Sequence, residues 1–155
     1  MASKVKPVPD GYGGATPMLC VNNAAAAIEF YKKAFGATED YRLTEPSGRI
    51  GHAEIRIGRA LIMLADEHPE YGHRSPQSLG GSPVTLHLYV EDADAMVSQA
   101  YDAGAKILRP AQDEFYGDRN GKLEDPFGHV WLIATRKEDV TPEEVRKRFA
   151  AFFEQ

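Results

Sequence analysis

The sequence predicts an α+β fold: two β-α-β-β-β modules forming a cup-shaped mixed sheet, with a further helix at the C-terminus. Two observations carry this. The first is internal repetition. Leu19, Val21, Ala24 and Ala26 recur as Leu88, Val90, Ala93 and Ala95; Ala34 recurs as Ala103, and Gly36-Ala37 as Gly104-Ala105 after the loss of one residue. A period of about 69 residues is longer than a solenoid repeat and fits two half-domain units. The second is punctuation. Each copy reads as an apolar strand, a capped helix, a helix-ending glycine and turn-separated strands. Neither half can bury a sheet face alone, so the two are expected to pair and enclose a cavity.

Residues 1–14 read as a flexible arm punctuated by Pro7, Pro9, Gly11, Gly13 and Gly14. Residues 15–138 form a single domain of two modules, 15–65 and 83–136, joined by a linker at 66–82 rich in Gly, Pro, Ser and His. In the first module Thr16–Val21 is an apolar strand. Asn23 caps a helix over Ala24–Phe35, whose Ala27, Ile28, Tyr31, Ala34 and Phe35 share one face. Strands follow at Ala37–Leu43, Ile50–Ile57 and Ala60–Ala65, with turns at Pro46-Ser47-Gly48 and Gly58-Arg59. In the second, Val84–Val90 is a strand, Asp92 caps the helix Ala93–Ala103, and a strand opens at Lys106–Arg109 and runs past Pro110 toward Phe115. Asn120-Gly121 is read as a hairpin turn, and His129–Thr135 as the last strand, with Trp131 on its core side. The tail, 139–155, starts a helix with Thr141 as N-cap, Pro142 at the first helical position and Glu144 completing a capping box. Its stripe of Val145, Phe149, Phe152 and Phe153 packs either on its own domain or across a dimer interface.

The 155 residues suffice for one domain with a real core. With 43% hydrophobic and 26% charged residues the composition is that of an ordinary globular chain. The net charge of −5, with signs interspersed and no basic stripe, argues against nucleic acid. No apolar run is long enough to span a membrane. Met1–Asp10 lacks the apolar stretch of a signal peptide, and Cys20 is the sole cysteine, so a cytoplasmic protein without disulfides is expected.

The module order, the stretches Phe30-Tyr31, Ala34–Ala37, Gly51–Ile55, Leu86–Asp92 and Tyr116–Arg119, the Asp125-Pro126-Phe127-Gly128-His129 run with Trp131, and Glu138–Glu144 together resemble the vicinal oxygen chelate superfamily. That group includes glyoxalase I, extradiol dioxygenases, fosfomycin resistance enzymes and bleomycin resistance proteins, and the likeness is to its PhnB-like branch. The resemblance covers roughly residues 15–145. It implies a homodimer, swapped or unswapped, and, in the metal enzymes, one divalent ion such as Zn, Ni, Mn or Fe held by His or Glu from the first and last strand of each module. The positions matching that pattern here are Thr16, Ile62 or Met63, Thr85 and Leu132. Hydroxyls and apolar side chains do not replace imidazoles and carboxylates on a divalent ion. The expected cofactor is therefore none.

By strand parity, Thr16, Met18, Cys20, Met63, Thr85, His87, Tyr89 and Leu132 line the cup, a mostly apolar wall with a few polar groups. His52 and Glu54 alternate onto one face of their strand. With His87 they are the alternative metal set, and His87 with Glu54 the acid–base pair if the chain is an enzyme. Tyr116 is read either as an aromatic closing over a ligand or as a half-buried aromatic on a strand. Arg119 is read either as a fork for a ligand carboxylate or phosphate or as a structural pair with its loop. His68 and His73 in the linker are expected to be solvated. The implied function is metal-free sequestration of an aromatic or amphipathic small molecule, as in the bleomycin resistance proteins. The alternative is a lyase, isomerase or dioxygenase-like enzyme with a rearranged site.

Overall fold

A computed structural model describes residues 4–154. Each module forms its own four-stranded mixed sheet. The first comprises β1 (Met18–Val21), α1 (Ala24–Phe35), β2 (Thr38–Thr44), β3 (Ile50–Ile57) and β4 (Ala60–Asp66), in the order β1-β4-β3-β2. A linker follows, with a 3-10 turn at Pro69–Tyr71 and the short α2 (Pro76–Leu79). The second module comprises β5 (Thr85–Tyr89), α3 (Ala93–Ala103), β6 (Lys106–Asp113), β7 (Asp118–Glu124) and β8 (Val130–Arg136), ordered β5-β8-β7-β6. The C-terminal α4 spans Pro142–Ala151. In both sheets the first and last strands pair in parallel, Met18 opposite Met63 and His87 opposite Leu132.

The helices begin and end where their caps dictate. The side chains of Asn23 and Asp92 accept from the N–H of Ala26 and Ala95, at 3.1 and 3.0 Å. Gly36 ends α1 in the left-handed conformation (φ 68°), which a residue with a Cβ adopts only at a cost. Before each helix the last strand of the module lends a further acceptor. Asp66 Oδ1 takes the Ala24 N–H and Thr135 Oγ1 takes the Ala93 N–H, both at 2.8 Å.

The modules meet through their helices. Gln99 on α3 donates to the C-terminal carbonyls of α1 at Lys33 and Ala34. Tyr31 and Phe35 of α1 lie against Trp131 of β8, with ring centroids 5.6 and 4.6 Å apart. Asp125 fastens this contact. Its Oδ2 accepts from Tyr31 Oη (2.6 Å) and Trp131 Nε1 (2.9 Å), and its Oδ1 from the N–H groups of Phe127 and His129. A buried carboxylate with four donors is satisfied rather than stranded. The helix-facing side chains of both sheets, among them Leu19, Ile55, Leu64, Leu123 and Ile133, complete one continuous core.

One turn differs from the sequence reading. Asn120 and Gly121 lie inside β7, paired with Ala134 and Ile133. The β6–β7 turn is instead Glu114–Gly117, closed by Gly117 N–H to Glu114 O. Gly121 is required within the strand because a Cβ there would stand 3.0 Å from Val97 and 3.1 Å from the Ala111 backbone. Asn120 is held by its neighbours rather than turning the chain. No helix among the described residues is long and apolar enough to cross a membrane. α4 rests on the same turn: Arg148 donates to Phe115 O, and Phe149 and Phe152 stack near Phe115, leaving both aromatic rings more than half exposed.

Candidate functional site

Each sheet buries one face under its helix and leaves the other open. Strand alternation sets which residues the open faces carry. On the first sheet these are Met18, Cys20, Met63, His52, Glu54 and Tyr41; on the second, Thr85, His87, Tyr89, Leu132, Lys122 and Asn120. Thr16 is half-buried just ahead of β1, where Pro17 O already accepts from Met63 N–H.

Glu54 organises the first face. Its Oε1 accepts from Tyr12 Oη at 2.6 Å and from Tyr41 Oη at 3.4 Å, and lies 3.3 Å from His52 Nε2. The hydrogen bond from Tyr12, followed by that from His52, holds the Glu54 carboxyl below its usual range, so it stays anionic near neutrality. The same bond pushes the Tyr12 hydroxyl up to about 12. The arm thus closes over the site through Tyr12, a residue that no motif in the sequence marks out. All three contacts fall on Oε1, and no side chain among the described residues donates to Oε2.

The second face has a different centre. Asn120 is fully buried; its Nδ2 donates to Tyr116 Oη at 2.7 Å, and the Arg109 guanidinium donates to its side-chain oxygen and its carbonyl. Tyr89 Oη donates to Asp118 Oδ2 at 2.6 Å, and the rings of His87 and Tyr89 are 4.6 Å apart. Tyr89 remains 60% exposed. Arg109, Asp118 and Asn120 were missed from sequence, the last because Asn-Gly reads as a turn.

Not all the expected residues come together. His52 and Glu54 pair, but no hydrogen bond joins either to His87, which sits on the other sheet. Within one chain, then, neither the His52–Glu54–His87 set nor a His87–Glu54 acid–base pair is assembled. Arg119 points away from the open face. Its fork grips Asp94 of α3 at 2.6 and 3.0 Å and reaches Asp113 at 3.2 Å, so it clamps helix to sheet. His68 is not solvated: Nε2 is 2.8 Å from Glu45 Oε1 and Nδ1 is 3.0 Å from Asp66 O. His73 is exposed. Among the described residues no three His, Cys, Asp or Glu side chains cluster as a metal site. Thr16, Met63, Thr85 and Leu132 offer two hydroxyls, a thioether and a hydrocarbon, a donor set that does not fit a divalent ion.

A family model matches most of this chain. The model for the Glyoxalase/Bleomycin resistance protein/Dioxygenase superfamily aligns with residues 15–133. The chain belongs to that superfamily. An uncharacterised protein of Mycobacterium bovis is 43% identical over 134 residues, covering 84% of this chain and 88% of its own. The crystal structure of an Arabidopsis thaliana gene product superposes with a TM-score of 0.64 at 29% identity, over 79% of this chain and 98% of that one. A fosfomycin resistance protein of Listeria monocytogenes, solved with Mn(II) and sulfate, gives a TM-score of 0.64 at 17% identity, over 89% and 98% of the two chains. At that identity the likeness is one of fold alone.

Proposed function

We propose that this superfamily member, of the PhnB-like branch, is a metal-free small-molecule binding protein that sequesters an aromatic or amphipathic ligand between open sheet faces. The single observation carrying the reading is the donor set at the four metal positions, Thr16, Met63, Thr85 and Leu132. In its place the faces offer apolar side chains, the His87 and Tyr89 rings in tilted contact and the fixed acceptor Glu54, the usual mixture of a small-molecule site. Met18, Tyr41, Leu43 and Tyr89 are 44–60% exposed in the single chain. A homodimer that sets the first module of one chain against the second of its partner covers these side chains and closes the cup.

The test is elemental analysis before and after soaking with Ni²⁺, Zn²⁺ or Mn²⁺, alongside light scattering for mass. The expected result is a dimer with below about 0.1 metal per chain, an unoccupied site by order of magnitude, and stoichiometric ligand binding without turnover. Near one metal per chain, lost in His87→Ala, overturns the reading in favour of an enzyme.

A further inference from the structure

A cavity beside the open faces lies where the modules meet at their edges. β1 and β5 are the edge strands of their sheets, and the linker passes over the gap between them. The cavity left there has a volume of about 340 Å³, at the lower end of small-molecule sites. Met18, Leu19, Leu79, Val84 and Leu86 give it an apolar wall, and Arg74 is the one charged residue lining it.

Arg74 is exposed. No carboxylate among the described residues forms an ion pair with it. Its neighbour Glu67 accepts from the Ser75 N–H at 2.7 Å and from the Ser78 hydroxyl, both through Oε1, and is near enough for the two charges to interact without closing an ion pair. Hydrogen bonds from Ser75 and Ser78, with the Arg74 charge behind them, hold Glu67 below its usual range. His129 and Cys20, which also line the cavity, do not compete for an anion. His129 Nε2 is spent on the Cys20 carbonyl at 3.0 Å, and burial raises the Cys20 thiol so that it stays neutral.

We infer that this inter-module cavity is a second binding site, for a small apolar monocarboxylate whose carboxylate meets the Arg74 guanidinium and whose hydrocarbon body lies along Leu79, Val84 and Leu86. An apolar wall with a single unpaired guanidinium selects against cations by charge and against neutral alkanes by leaving the fork unused. Because the wall is drawn from both modules and from the linker, occupancy ties the halves together. The site shares only Met18 and Cys20 with the sheet-face reading and stands or falls apart from it.

Cys20 supplies the measurement, since it is the sole cysteine and lines the cavity. Its alkylation by the neutral reagent N-ethylmaleimide is followed with octanoate, with octylammonium, and with neither. Saturating octanoate is expected to slow alkylation about tenfold, corresponding to a cavity mostly occupied, and octylammonium to leave it unchanged. Arg74→Gln is expected to abolish the protection. Arg146→Gln, which removes a positive charge from distant α4, is expected to keep it. Should Cys20 alkylate too slowly to time, the methyl resonance of Met18 replaces it, shifting with octanoate and not with octylammonium. Equal protection by both amphiphiles, protection that survives in Arg74→Gln, or no effect of octanoate on either signal overturns the proposal.

Discussion

The two modules share a plan but are held by different chemistry. Their turns are closed alike: Glu45 and Gly48 close the β2–β3 turn as Glu114 and Gly117 close β6–β7, with the same pair of backbone bonds. Their helix starts are captured from the same place, but by unequal residues. Asp66 is a carboxylate 9% exposed that serves two N–H groups, Ala24 at 2.8 Å and Ile50 at 2.7 Å. Thr135 is a hydroxyl that accepts from Ala93 and donates to Val90 O. The open faces diverge furthest, with a carboxylate among tyrosines on one and a buried amide between Arg109 and Tyr116 on the other. Repetition therefore preserves the backbone's hydrogen-bond needs, which sequence drift cannot remove, while the side chains that face a ligand are released to differ.

The residue that makes the two halves one body is Asp125, and it carries the largest expected effect. Asp125→Ala strands the Tyr31 hydroxyl, the Trp131 indole N–H and two backbone N–H groups in a buried site. A loss of about 3–5 kcal/mol is expected, as for breaking a buried charged network. Denaturant melts would read it, together with a broadened or split transition as the modules lose their common core. A single sharp transition within about 1 kcal/mol of the parent would mean that the helix contact suffices without Asp125.

Next come the paired helix starts. Asp66→Ala leaves two N–H groups unpaired beside fully buried Ala24 and Ile50, and about 2–4 kcal/mol is expected. Thr135→Val keeps the shape and loses one acceptor and one donor, for about 1–2 kcal/mol. Equal costs at the two positions would remove the claimed asymmetry. The turns offer a sharper version. Gly48 and Gly117 both have left-handed backbones, φ 90° and 97°, so alanine costs about 1 kcal/mol at either from the backbone alone. At Gly48 a Cβ meets nothing within 4 Å. At Gly117 it would stand 2.8 Å from Val140 and 2.9 Å from Glu138 O. Gly117→Ala is thus expected to cost about 2–3 kcal/mol and to loosen α4, visible as faster amide exchange over 142–151.

These contrasts also explain what could be read from the chain in advance. The repeat, the caps Asn23 and Asp92 and the helix-ending glycines are backbone requirements written in residue types, and the element order follows from them. The Asn120-Gly121 reading failed because Gly121 is there for the approach of Val97, a tertiary demand that local turn preference does not express. The repeat itself held the correction, since Glu45 and Gly48 recur as Glu114 and Gly117. The site was harder. Parity placed His52 and Glu54 on one face, but the hydroxyl of Tyr12, forty-two residues away in a proline-rich arm, has no sequence signal. Arg119 has the structural role that one of its two readings expected, but its main partner Asp94 lies on α3 rather than in its own loop.

The smallest expected difference is in how the two turns respond to pH. Glu45 is held by His68 at 2.8 Å, whereas its counterpart Glu114 is paired with Arg109 at 3.4 Å. Hydrogen bonding to Glu45 raises the His68 pKa above its usual value, and that bond lowers Glu45's own. A raised histidine pKa contributes stability that is fully present below the unfolded value of about 6.5 and is lost as pH climbs through the higher folded value. Arg109 keeps its charge throughout that range. Amide protection at Glu45 and Gly48, corrected for intrinsic exchange, is therefore expected to fall as the pH rises above about 6.5, while protection at Glu114 and Gly117 stays level. In His68→Gln the first turn should become as flat as the second. A parallel fall in both turns would assign the effect to the fold at large and leave His68 with no separate part in it.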